Sequence, residues 1–165
     1  MADRARLQTR VVAILLAVCG VLVLLGLRFV AEPMRVSSGS MAPTYRTGAE
    51  VLVTKAISGP LNVHRGDVVV LRVPGTGDLA FKRVAGTDGD VVAVEDGALV
   101  VNGVPVRESY VDQARVDGTY FGPVVVPAGS VFVLGDNRAN SIDSRDYGSV
   151  PADRLVGMVR LRLWR

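Results

Sequence analysis

Val91-Val92-Ala93-Val94-Glu95-Asp96-Gly97-Ala98-Leu99-Val100-Val101-Asn102-Gly103 contains two short valine-rich runs, the first closed by Asp-Gly and the second by Asn-Gly. Both dipeptides tolerate positive φ, so each reads as the tight turn of a β-hairpin. β-branched side chains lose rotamer freedom in a helix and pack well on a pleated surface, so such runs favour strands. The pattern extends in both directions. Val51 to Val53, Val68 to Val73 and Leu79 to Val84 come before it, and Val124 to Val126 and Val131 to Leu134 after it. Pro74-Gly75-Thr76-Gly77 marks a further turn. Val159-Arg160-Leu161-Arg162-Leu163 alternates strictly and so presents one apolar face. From Val36 onward no long helical period appears. The expected fold class is mostly β, a compact antiparallel barrel or folded sheet.

The N-terminal part is different. Val11 to Leu27 is an uncharged apolar stretch of 17 residues, extending to Ala31 if the Arg28 stem lies along apolar surface with its head in water. It is longer than the apolar core of a secretory signal, about 7 to 15 residues, and Phe29-Val30-Ala31 puts a large ring where an exit site wants a small residue. The expectation is an uncleaved transmembrane anchor over residues 11–31, after a short cytoplasmic tail of residues 1–10. Residues 32–165 then form an extracytoplasmic β domain. Arg4, Arg6 and Arg10 precede the span while Arg28, Arg35 and Arg46 follow it, so charge bias alone does not orient it. Arg160, Arg162, Trp164 and Arg165 read as an ordinary solvent face, with a membrane-surface contact as the alternative.

The sequence has a pI near 9.4, but its basicity is local. Residues 1–35 carry five arginines against Asp3 and Glu32, and the remainder carries 14 basic and 14 acidic groups. A neutral domain with 5% aromatic residues in the chain lacks the footprint of a nucleic-acid binder. Cys19 and His64 are each the only residue of their type, so no disulfide can form within the chain and no metal or cofactor site is expected.

Ser38-Gly39-Ser40-Met41-Ala42-Pro43-Thr44 follows the apolar stretch. Two hydroxyls around a glycine form a turn that can present one serine outward, although a polar linker has the same composition. A serine hydroxyl needs a base to become a nucleophile. His64 sits in a turn with nothing to mark it as poised. Only two lysines stand among 17 arginines, Lys55 and Lys82. Lys55 ends a strand and reads as exposed. Lys82 lies in Leu79-Ala80-Phe81-Lys82-Arg83-Val84, where alternation puts it on the face of Ala80 and Val84. Burial there would lower its pKa toward that of a general base. Gly135-Asp136-Asn137-Arg138-Ala139-Asn140-Ser141-Ile142-Asp143-Ser144-Arg145-Asp146-Tyr147-Gly148 is dense in groups that must satisfy one another. Asp136 or Asp143 can pair with Arg145, and Ser141 can orient an amine.

These segments, with Arg65-Gly66-Asp67-Val68-Val69-Val70 and Gly89-Asp90, resemble the ordered boxes of bacterial type I signal peptidases, as does an anchor directly before the first box. The resemblance covers residue 11 to the end. It implies a Ser/Lys serine endopeptidase in which Ser40 is the nucleophile and Lys82 its base. Ser38 and the Ser40 amide would form the oxyanion hole, and Ser141 would orient the lysine. Asp136, Asp143 and Arg145 would form structural ion pairs. It also implies signal peptides of preproteins as substrates, membrane lipid as surroundings, a monomer, and a reduced β cap within residues 84–134. Ala139 stands where the family often has Asp, Asp88 where Pro is common, and Ala80 where Tyr is frequent. Val36, Met41, Tyr45, Ala80 and Phe81 would wall shallow pockets that select small residues. The rival readings are a Ser/Lys peptidase with a dedicated client, such as a pilus or conjugation precursor, and a non-catalytic anchored β-module that binds envelope proteins.

Overall fold

The computed structural model describes residues 10, 12–21, 26, 30–55, 62–112 and 118–164. Most of the expected tail, and residues 11, 22–25 and 27–29 of the expected anchor, lie outside the described residues. Residues 12–21 are helical and exposed. Among the described residues no helix is long and apolar enough to cross a membrane.

The rest is antiparallel β-structure in two sheets. The strands are β1 (Ala31–Arg35), β2 (Glu50–Lys55), β3 (Val68–Arg72), β4 (Leu79–Thr87), β5 (Val91–Glu95), β6 (Ala98–Val101), β7 (Val104–Pro105), β8 (Phe121–Val125), β9 (Ser130–Leu134), β10 (Val150–Pro151) and β11 (Leu155–Trp164). Seven of them form one sheet in the order β1-β2-β11-β3-β4-β9-β10, and four form a second in the order β7-β6-β5-β8. The hairpin read from Val91 to Val101 is present, with Val92 opposite Val101 and Glu95 opposite Ala98. Its turn places Asp96 at φ 51°, in the left-handed region that the Asp-Gly pair suits. The second sheet lies within the stretch expected to form a small cap.

Sequence patterning missed β1. Ala31, expected to end the apolar segment, instead opens this strand and pairs with Thr54. The β pattern is read only from Val36 onward, because Glu32 and Pro33 break the valine-rich alternation. Pro33 has no N–H to give to a ladder, and an edge strand tolerates that loss.

The apolar runs divide between two faces of the large sheet. Val68 and Val70 join Val36, Met41, Val51, Val53 and Phe81 in one buried cluster. Val69 and Leu71 join Val84, Val131, Val133, Val150 and Leu155 in another. β3 therefore has both faces covered, which is why its sequence is a continuous apolar run without alternation. Each of these fully buried side chains contributes about 1.5 to 3 kcal/mol. A third cluster, including Ala85, Val92, Leu99, Val101, Phe132 and Leu134, joins the two sheets.

β4 spans this junction. From Leu79 to Arg83 it pairs with β3. On its other side β9 begins pairing only at Arg83 opposite Leu134, so Leu79 to Lys82 have an open edge there among the described residues. A bulge between Val84 and Gly86 then bends the strand toward the second sheet. β11, ten residues long, lies between β2 and β3 and also bulges. Gly157 makes the close approach possible, because a Cβ there would come within 2.5 Å of the Thr54 carbonyl oxygen and of Val53 Cγ1. Gly157→Ala is expected to push β11 off β2 and to cost about 1 to 3 kcal/mol. Thermal unfolding in detergent measures it, and an unchanged Tm would refute this packing.

Candidate active site

The turn after β1 is held at both ends by backbone bonds. The Val36 amide donates to Ala49 O (2.9 Å) and the Gly48 amide to Val36 O (2.8 Å). Within it, the Tyr45 amide donates to Met41 O (2.8 Å). Met41 is wholly buried in the first cluster, which anchors the turn. Its neighbour Ser40, 7% exposed, faces a groove of about 460 Å³. The Ser38 and Ser40 hydroxyls stand 3.2 Å apart.

Lys82 lines the same groove, which is flanked by Ala80, Val73 and Ile142. Alternation along β4 sends Phe81 into the first cluster and leaves Lys82 on the other face, 3% exposed. Its Nζ donates to Ser141 Oγ at 3.0 Å. Burial pushes the Lys82 pKa down. Asp143 pulls it up, Arg145 adds to the lowering and Asp146 opposes it, and the net direction is downward. The arrangement makes this amine easier to deprotonate than a solvated lysine.

The loop after β9 brings Ser141 to the lysine. A Cβ at Gly135 would lie 2.5 Å from Ser141 Cβ and 2.6 Å from Ser40 O, so close approach demands glycine there. Asn137 ties this loop to the nucleophile turn, its amide donating to Ser40 O (2.9 Å) and its Nδ2 to Gly39 O (3.1 Å). Asp143 caps the helical turn Ser144–Tyr147 through a reciprocal bond with Asp146. Its carboxylate accepts from the Gly135 amide (3.0 Å) and from Arg145 Nε (2.8 Å) and Nη2 (2.9 Å). Burial pushes the Asp143 pKa up, but the Arg145 and Gly135 bonds outweigh it, so the net shift is downward and the group stays ionised.

The structure thus pairs Asp143 with Arg145. Asp136 takes a different partner, Arg83, through two bonds of 2.8 and 2.7 Å. Arg83 also lies 3.9 Å over the Tyr110 ring and donates to Gly66 O (2.7 Å). A second buried pair joins Arg138 Nη2 to Glu108 Oε1 at 2.6 Å, with both side chains at most 3% exposed. Tyr110 Oη donates to the same carboxylate oxygen at 2.8 Å, and Arg138 Nε to Gly135 O at 3.0 Å. Sequence reasoning did not find Arg83, Tyr110, Glu108 or Arg138. The residue after Lys82 had to point to the opposite face, which was a usable signal for Arg83; Glu108 and Tyr110, in the presumed cap, carried none.

The other candidates lie elsewhere. His64 is in an exposed turn, its Nδ1 3.8 Å from Asp67 Oδ2, and does not line the groove. Lys55 pairs with Glu32 at 2.6 Å. Of the five expected pocket residues, Ala80 lines the groove. Val36, Met41 and Phe81 are buried in the first cluster with Tyr45 packed against it. Alternation explains the placement of Phe81, since a neighbour of Lys82 faces away from the lysine's side of the sheet.

Ser40 and the buried amine of Lys82 thus line one groove, and the imidazole of His64 does not. The chain belongs to the family described as signal peptidase, peptidase S26, whose model matches residues 7–164. It is 37% identical over 156 residues to signal peptidase I T of Bacillus subtilis, covering 89% of this chain and 78% of that protein. With signal peptidase I of Leptolyngbya laminosa it shares 39% identity over 154 residues, covering 87% and 74%. The crystal structure of a signal peptidase I from Enterococcus faecalis superposes with a TM-score of 0.53 at 30% identity, covering 62% of this chain and all of that one.

Two outcomes are expected. Below the folded-state pKa of Lys82 its buried charge costs stability in full, and the cost fades as pH rises toward the ordinary value of 10.5, because the folded chain loses the proton first. Lys82→Met should therefore raise Tm at neutral pH, with the gain shrinking as pH nears 10.5; a gain independent of pH would argue against a depressed pKa. Glu108→Gln leaves Arg138 charged, buried and short of its partner. It should lower stability by about 3 to 5 kcal/mol in urea unfolding, against at most about 1 kcal/mol for Lys55→Gln at the exposed pair. Equal losses would show that the Glu108 pair is not structural.

Proposed function

We propose that the chain is a membrane-anchored serine endopeptidase that removes signal peptides from preproteins, with Ser40 as nucleophile and Lys82 as general base. The observation that carries this reading is that Ser40 and an almost fully buried Lys82 line one groove while Ser141 holds the lysine amine. Neutral Lys82 accepts the Ser40 proton as Oγ attacks the scissile carbonyl. The Ser38 hydroxyl and the Ser40 amide stabilise the oxyanion, and the lysine then protonates the leaving amine. Water, activated by the same amine, hydrolyses the ester. Asp136, Asp143 and Arg145 act from behind the site by fixing the loop that carries Ser141.

The open edge of β4 from Leu79 to Lys82 suits an extended substrate, which would add to it by main-chain hydrogen bonds. Ala80, Val73 and Ile142 flank the groove, an apolar wall that suits the small apolar residues of a signal-peptide exit. The apolar helical residues 12–21, with Ile14 62% and Leu16 69% exposed, support an anchor that lipid would cover. In this reading residues 11–30 form a single pass and the β domain works on the extracytoplasmic face as a monomer.

Incubation of the detergent-solubilised full chain with a panel of preproteins tests this. Ser40→Ala and Lys82→Ala should each reduce cleavage by about four orders of magnitude, while His64→Ala cleaves like the wild type. The rate should climb with pH as Lys82 loses its proton, with the acid limb below 10.5. Cleavage by Lys82→Ala, or its loss in His64→Ala, would overturn the mechanism.

A further inference from the structure

Two more cavities lie beside the nucleophile turn, both lined by Pro43 and Arg46. The groove is lined by Ser40 and Asn140, and the first of the two, about 240 Å³, by the next residues along both segments, Ala42 and Pro43 on one and Asn137 to Ala139 on the other. Pro43 and Arg46 also line the second cavity, about 440 Å³, whose other walls include Thr47 and Arg162. The first and second cavities share Pro43 and Arg46, and the groove and the first cavity are lined by neighbouring stretches of the same two segments, which the Asn137 bonds to Gly39 and Ser40 tie together.

The charges along these walls are uneven. Asp136 is neutralised by Arg83, and Arg138 by Glu108. Asp112 lines the first cavity and is engaged in an interaction of its own. Arg46 and Arg162 are exposed, and among the described residues neither has a carboxylate within ion-pair distance. Arg162 lies 4.9 Å over the Tyr45 ring, which fixes its position without cancelling its charge. No acidic residue lines the second cavity. Ala139 lines the first and adds no charge.

We propose that this trough receives the first residues of the mature chain and selects for acidic side chains among them through Arg46 and Arg162. The inference rests on the peptidase reading above. The groove flanked by Val73, Ala80 and Ile142 suits the signal-peptide side of the cut, so the chain beyond the scissile bond continues over Ala42 and Pro43 toward the two guanidinium groups. Lysine or arginine in the same positions is disfavoured by like charge.

The test is cleavage of one preprotein in a series with Glu, Ala or Lys at each of the first four mature positions, compared as kcat/KM ratios within one enzyme. The wild type should prefer Glu to Lys at one of these positions by about two- to five-fold. That ratio should shrink toward unity at about 1 M salt, where exposed charges are screened. Arg46→Glu should reverse the preference and Arg162→Gln should weaken it; because ratios are taken within each variant, a general loss of activity does not mimic the effect. Equal cleavage of the Glu and Lys forms by the wild type, or a preference unmoved by salt and by both substitutions, would overturn the trough and leave the peptidase intact. Failure of the wild type to cleave any member would overturn both.

Discussion

Lys82 is almost wholly removed from water, and the rest of the structure is arranged around that constraint. Lys82 is buried by its position on β4, between a strand covered on both faces and the loop that carries Ser141. Burial alone would strand an amine with unsatisfied hydrogens, a cost of several kcal/mol for a charged group. The Ser141 hydroxyl gives it one acceptor. The ionised Asp143 behind it limits how far its pKa falls. The two demands, dryness and a partner, explain why a barrel-like sheet and a polar loop meet here.

Functional side chains are fixed by their sequence neighbours. Met41 beside Ser40 and Phe81 beside Lys82 both lie in the first core cluster, so the reactive groups are set by packing on the opposite face. Gly135 completes the arrangement by letting the loop approach Ser40 and Ser141 at distances no other residue permits. Rigidity at the site is therefore built from apolar packing and a missing side chain. The ion pairs Asp143–Arg145, Asp136–Arg83 and Glu108–Arg138 hold the loop from outside this nucleus.

Much of this was legible in the sequence because it depends on local periodicity. Valine runs and Asp-Gly or Asn-Gly turns locate most strands, and alternation alone places Lys82 on a buried face. Ser38, Ser40, Ser141 and Asp143 are singled out by the resemblance of their segments to the signal peptidase boxes, since each segment alone also reads as a polar linker or a structural loop. What could not be read depends on contacts far apart in the chain. Whether Asp136 meets Arg145 or Arg83 is a matter of tertiary register, and Glu108 reaches Arg138 across 30 residues with no local signal. β1 was hidden for another reason, since a proline breaks the strand pattern and only the pairing with β2 shows that an edge strand tolerates it. Phe81 and Met41 were assigned to pocket walls on composition, whereas their parity with the core decides their place.

The open edge of β4 has a second consequence, for solubility. Unpaired strand edges are templates on which other chains polymerise, and lengths of six or seven residues suffice to seed a cross-β stack. Here only Leu79 to Lys82 lack a partner on that side before β9 takes over, and the segment just before them ends in the charged Asp78. Four residues are too few to nucleate a fibre, although they leave room for a short extended segment to pair. The length of the gap, set by where β9 stops, thus limits how much of β4 another strand could template on.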